Sequence, residues 1–132
     1  MAAPLEYEFH HIHIFCSDLA ASERWFAEQL GAEVVERRDS RGVPSVLLRL
    51  GGAPITLRPR REGENLEAGL TVPHFGADHF GLQVSDVDAA VEELRRRGVT
   101  IDVEPYDFTP GSRIAYVRGP DGVRIELVQR RG

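Results

Sequence analysis

The sequence predicts an α+β fold in which two tandem βαβββ modules curve into a mixed-sheet cup. Three observations predict it. The phrase His11-Ile12-His13-Ile14-Phe15-Cys16-Ser17-Asp18-Leu19 is echoed by His79-Phe80-Gly81-Leu82-Gln83-Val84-Ser85-Asp86-Val87, with a histidine seven residues ahead of the aspartate each time. Each phrase runs into a helical pattern, and each helix is followed by three strand patterns. At 132 residues the chain has room for one compact core but not for two ordinary domains, so the two phrases are halves of one fold.

The elements follow in order. Residues 1–8 carry no strong pattern and read as a frayed arm or an edge strand. Phe9 to Phe15 is β-branched and aromatic, with residues of like kind two apart, which places His11 and His13 on one strand face and Ile12 and Ile14 on the other. Ser17 or Asp18 supplies an N-cap oxygen for a helix to about Leu30, and Gly31 stands where a left-handed residue ends a helix. Three strand candidates follow at Glu33–Arg38, Pro44–Leu50 and Pro54–Arg60, the last two joined by a tight turn at Gly51-Gly52-Ala53. In the second copy Ser85 or Asp86 caps a helix whose apolar stripe is Val87, Ala90, Val91 and Leu94. Arg95, Arg96 and Arg97 sit at the negative end of its dipole, a solvated terminus rather than a binding patch, and Gly98 ends it. The strands here are Thr100–Glu104, Arg113–Arg118 and Val123–Gln129, with the turn Gly119-Pro120-Asp121-Gly122 between the last two. The chain thus reads as one domain over 1–132, with module one at about 9–60, a linker at 61–77 and module two at about 78–130. The linker is expected to lie over a cavity mouth.

Sixteen Lys and Arg stand against 21 Asp and Glu, and the net charge of −5 repels phosphate backbones and anionic membranes, which argues against nucleic-acid and membrane partners. One cysteine forms no internal disulfide, and no secretory leader or long apolar run is evident, so a cytoplasmic protein is expected. Cys16 alternates with the histidines along its strand and reads as a small buried apolar residue.

The chemistry points to a metal. Approximate two-fold symmetry brings His11 and His79 to facing positions, and Glu126 lies between Ile125 and Leu127 in the last strand, where a carboxylate is expensive unless ligated or paired. Two imidazoles and one carboxylate suit divalent Fe, Mn, Ni, Co or Zn and leave coordination sites for a small-molecule substrate. A strand-face pairing of Glu126 with Arg124 or Arg113 is the structural alternative. His13, two residues after His11 on the same face, has the pKa range of a catalytic base, or else packs. Arg58, two beyond Thr56, either binds a substrate anion bidentately or is solvated. His10 and His74 read as surface residues.

His-Ile-x-Ile-x-x-Ser-Asp-Leu at 11–19, Leu30-Gly31, Leu50-Gly51-Gly52 and the run Gly119 to Leu127 together resemble the vicinal oxygen chelate superfamily, over about Phe9 to Gln129. That superfamily holds glyoxalase I, methylmalonyl-CoA epimerase, fosfomycin-resistance thiol transferases, extradiol dioxygenases and metal-free bleomycin-binding proteins. The resemblance implies metal ligands at His11, His79 and Glu126. Its fourth position, Glu or Gln in glyoxalase I and the epimerases, falls here on Thr56, a poor ligand that lines the substrate site instead. Three ligands suit the fosfomycin and dioxygenase branches. The lysine-rich and serine-rich anion features of the first are absent, and the second usually has four modules. Tyr116 matches a tyrosine that contacts the phosphonate in the fosfomycin branch. The resemblance implies a metal-dependent isomerase, epimerase, lyase or addition enzyme, with an iron dioxygenase or a metal-free antibiotic-binding protein as alternatives. It also implies a homodimer that sometimes exchanges modules between chains.

Overall fold

The computed structural model describes residues 5–131. Residues 1–4, part of the segment read as an arm or edge strand, lie outside the described residues, as does residue 132. Two helices and eight strands alternate as expected: β1 (Ile12–Phe15), α1 (Leu19–Leu30), β2 (Glu33–Ser40), β3 (Val43–Leu50), β4 (Ala53–Arg58), β5 (Phe80–Gln83), α2 (Val87–Arg96), β6 (Thr100–Thr109), β7 (Ser112–Arg118) and β8 (Arg124–Arg130). The strands make two four-stranded mixed sheets of identical topology, β1-β4-β3-β2 and β5-β8-β7-β6. In each, the first strand runs parallel to the last, and the remaining pairs are antiparallel.

Local chemistry sets the element ends. Asp18 and Asp86, not the serines before them, cap the helices, their carboxylates accepting from Ala21 N and Ala89 N at 3.0 Å each. Gly31 adopts φ +74° and its N–H donates to Ala27 O, which closes α1. The first strand is shorter than expected. It starts at Ile12, which pairs with Ile55 of its parallel partner β4. Leu5, Tyr7 and Phe9 are therefore exposed and unpaired with the sheet. Conversely, β6 continues through Pro105. It is the outer strand of its sheet, where a missing N–H interrupts no ladder.

The two modules share one core. Phe26, Val46, Leu48, Ile55 and Leu57 from the first half join Val87, Val91, Val117, Ile125 and Leu127 from the second in a single buried cluster. Cys16 is buried there too, at 3 % exposure. Helix α1 spans the joint. Trp25 packs so closely on Gly119 that a Cβ at that glycine would come within 3.2 Å of the ring, and Ser17 N donates to the Asp121 carboxylate at 3.0 Å. Of the three clustered arginines, Arg95 and Arg96 pair with Glu104 and Glu93, while Arg97 donates to the Glu28 and Gln29 carbonyls at the end of α1 as well as to Glu93. Ile12 and Ile14 of module one and Phe80 of module two line one cavity of about 390 Å³. Leu66 and Gly69 of the linker line a cavity of about 740 Å³ together with Phe15 and Cys16. Among the described residues no helix is long and apolar enough to cross a membrane.

Candidate functional site

The repeat places the histidines with fidelity. His11 and His79 each stand one residue ahead of their module's first strand. In register, His13 lies beside Thr56 in module one as Gly81 lies beside Glu126 in module two. Thr56 is therefore the pseudo-symmetric counterpart of Glu126, and an imidazole occupies in one half the position left bare in the other. A Cβ on Gly81 would lie 3.5 Å from Glu126 Oε1, in ordinary contact, so the glycine leaves the flank of the carboxylate open.

Module two brings three of the expected residues together. His79 Nε2 lies 3.8 Å from Glu126 Oε1, and Tyr116 donates its hydroxyl to Glu126 Oε2 at 2.8 Å. The His79 and Tyr116 rings meet edge to face at 5.0 Å. Neither arginine proposed as a structural partner is on Glu126: Arg113 pairs with Asp88 and Asp107, and Arg124 with Asp78 and Asp102. Burial, then the hydrogen bond and charge of Glu126, push the Tyr116 hydroxyl up to about 12, so it remains a donor at neutral pH. Glu126 opens on a cavity of about 360 Å³ whose wall includes Phe108, Ile114 and Val128.

Asp78, not anticipated from the sequence, and Arg124, anticipated only as a partner for Glu126, complete this group. Asp78 Oδ2 is 2.7 Å from His79 Nδ1, and Arg124 donates to the same oxygen at 2.5 Å. The His79 hydrogen bond first, then that from Arg124, hold Asp78 below the usual carboxylate range. An ionised carboxylate only accepts, so Nδ1 carries a proton toward Asp78 and Nε2 is the nitrogen that faces Glu126. The signal available in the sequence was a carboxylate directly before the repeated histidine.

Module one carries His11, His13, Thr56 and Arg58. Nδ1 of His11 is 2.7 Å from Nδ1 of His10, and both rings are exposed. His74 bonds to the Val72 carbonyl in the linker. His13, exposed at the strand surface, meets Phe15 edge to face at 4.8 Å, and partial desolvation first, then the charges of Arg58 and His11, lower its pKa. Arg58 is 7 % exposed, not solvated, and its fork is taken: it holds both oxygens of Glu64 at 3.0 and 3.1 Å and lies over the Phe15 ring. A substrate anion reaches Arg58 bidentately only by displacing Glu64. The Arg58 hydrogen bond first, then the Arg61 N–H, bring Glu64 down to about 2 from an ordinary 4.5. Because the folded value is the lower one, this pair stabilises the protein above about pH 4.5 and ceases to do so as pH falls toward 2. Glu64→Gln is expected to flatten the melting temperature against pH across that window. An unchanged profile would show that the pair contributes nothing.

His11 is not drawn to the module-two group within one chain. Among the described residues no set of three or more His, Cys, Asp or Glu is arranged to hold a metal ion. Two ligands each about 2.1 Å from one cation lie at most about 4.2 Å apart, and the 3.8 Å between His79 Nε2 and Glu126 Oε1 meets that limit. The chain thus presents two of the donors that a divalent ion needs, with one oxygen of the carboxylate held by a phenol.

Paired βαβββ modules with a histidine ahead of each first strand and a glutamate in the last define a class. The sequence profile of the Glyoxalase/Bleomycin resistance protein/Dioxygenase superfamily matches residues 8–127, and the chain belongs to that superfamily. It is 29 % identical over 129 residues to the uncharacterized protein YwkD of Bacillus subtilis, covering 92 % of this chain and 95 % of that one. It is also 29 % identical over 131 residues to the lactoylglutathione lyase GLX1 of Arabidopsis thaliana, covering 92 % of this chain but only 44 % of the plant protein, so it spans less than half of that relative. Among solved structures, a glyoxalase family protein from Bacillus cereus superposes with a TM-score of 0.81 at 20 % identity, covering 100 % of this chain and 99 % of that one, a likeness of fold.

Proposed function

We propose that the protein is a divalent-metal-dependent enzyme that binds a small substrate through two neighbouring oxygens, and that its site is completed between two copies of the chain. His79 and Glu126 of one copy and His11 of the other hold the ion. The observation that carries this reading is the pair His79 Nε2 and Glu126 Oε1 at 3.8 Å, with the other nitrogen of His79 engaged by Asp78. The need for a second copy rests on the separation of the two donor faces within one chain. Both faces also expose aromatic surface: Phe15 is 42 % exposed in module one, and Tyr106 and Phe108 are 42 % and 65 % exposed in module two.

When bound, the divalent ion supplies Lewis acidity that stabilises negative charge developing on the substrate oxygens. The protein's own groups do the rest. His13, on the same strand face as Arg58, takes a proton from the carbon next to the bound oxygens and returns it to that carbon or its neighbour, which is epimerase, isomerase or lyase chemistry. Tyr116 holds Glu126 Oε2, and Thr56 lines the wall beside His13. The likeness to a lactoylglutathione lyase favours this proton-transfer chemistry over oxygenation.

Elemental analysis of protein purified without chelator tests the reading. About one divalent ion per chain is expected, and His79→Ala is expected to lose it. Trace metal that His79→Ala leaves unchanged would replace the reading with that of a metal-free binding protein.

A further inference from the structure

Arg124 makes no hydrogen bond or ion pair with His79 or Glu126, yet it is linked to both. One Nη donates to Asp78 Oδ2 at 2.5 Å, the oxygen that also engages His79 Nδ1. The guanidinium carbon lies 3.8 Å from the centroid of the Tyr116 ring, whose hydroxyl holds Glu126. Its Nε donates to Asp102 at 3.0 Å, and Asp102 is braced in turn by Arg118. Arg118 is anchored to the Gly122 and Thr71 carbonyls. A planar fork stacked on a ring while its edges donate to two carboxylates is an arrangement that lysine does not reproduce.

We propose that Arg124 is a positioning residue that presets both module-two donors at once, orienting His79 through Asp78 and Glu126 through the stacked Tyr116. The proposal rests on the reading of His79 and Glu126 as metal ligands, and it deepens that reading. Asp78 fixes which nitrogen of His79 carries the proton. Left alone, a neutral imidazole populates both tautomers and rotates, and a carboxylate on an open strand face samples several rotamers. Ordering both before the ion arrives removes that cost from binding. One side chain does this because Asp78 takes a hydrogen bond from the edge of the guanidinium while Tyr116 packs on its face.

The test uses the full chain and two readouts, the ¹⁵N shifts of the His79 ring in metal-free protein and the Zn²⁺ affinity measured against a competing chelator. In the wild type, His79 is expected as a single Nδ1–H tautomer. Arg124→Lys keeps the charge but loses fork and stack, and is expected to give a tautomer mixture and a Zn²⁺ affinity about 10–100-fold lower. Tyr116→Phe is expected to weaken Zn²⁺ binding while leaving the His79 tautomer as in the wild type, which separates the two arms. Arg113→Lys is the control. It changes another arginine held by two carboxylates, away from the site, and both readouts are expected to stay at wild-type values. Wild-type tautomer and affinity in a folded Arg124→Lys protein would overturn the proposal, as would an equal loss in Arg113→Lys. If the wild type takes up no Zn²⁺ but Arg124→Lys still releases the tautomer, the metal reading fails and the orientation of His79 by Arg124 stands.

Discussion

Mixing His11→Ala chains with His79→Ala chains, each devoid of tight metal sites alone, is expected to restore about a quarter of the wild-type sites. The figure follows from symmetry. Random pairing makes half of the dimers mixed, and in a two-fold dimer each site takes its first module from one chain and its second from the other. In a mixed dimer one site therefore carries both substitutions, and the other carries neither. No recovery among dimers of confirmed composition would show that the donors are not shared between chains. A wild-type protein that sediments as a monomer while binding one tight ion would do the same. The effect is large because His79 and Glu126 alone offer only two donors, and a third is needed to hold a divalent ion firmly in a site that still admits substrate. Aromatic surface on both donor faces gives the second copy something to cover, with Phe15 on one and Phe108 on the other.

The parts of this site legible in the sequence are those that follow from repeat and parity. The echoed phrases placed His11 and His79 equivalently, and alternation along β1 put His13 opposite Ile12 and Ile14; both hold. Thr56 came only from the resemblance, as the superfamily's fourth position, and the register makes it the counterpart of Glu126. What alternation does not convey is where the two modules turn relative to each other. That is decided by α1, whose Trp25 docks on Gly119 and whose Phe26 enters the common core, and it leaves His11 apart from Glu126 within a chain. Charge pairing was equally hidden. Arg58 reads as a free anion binder until Glu64, six residues on, folds back onto it, and Arg124 reads as a partner for its neighbour Glu126 until Asp78 and Asp102 claim it. Each of these arginines faces several carboxylates, and only the backbone path chooses between them.

Phe26→Ala is expected to cost about 3–5 kcal/mol, against a total of about 5–15 kcal/mol for a typical domain, and to lower the melting temperature by roughly 10–20 °C. Phe26 is 1 % exposed, on the face of α1 shared with buried Ser22, and it belongs to the cluster that takes Ile55 and Leu57 from one sheet and Ile125 and Leu127 from the other. Its removal leaves a cavity that rigid β-sheet walls do not collapse to fill, which places the cost toward the upper part of the usual range for large-to-small changes. The same residue tests whether the repeat is two units or one. Trp25, the only tryptophan, packs on the Gly119 turn of module two, so its fluorescence reports the joint while far-ultraviolet circular dichroism reports the whole chain. With one core, both signals are expected to move down together as a single transition in Phe26→Ala. Two separated transitions, or a loss of fluorescence signal well below the circular dichroism midpoint, would show that the modules unfold independently. The donor faces would then not be held in fixed relation by the core, and pairing with a second chain would have to set their geometry.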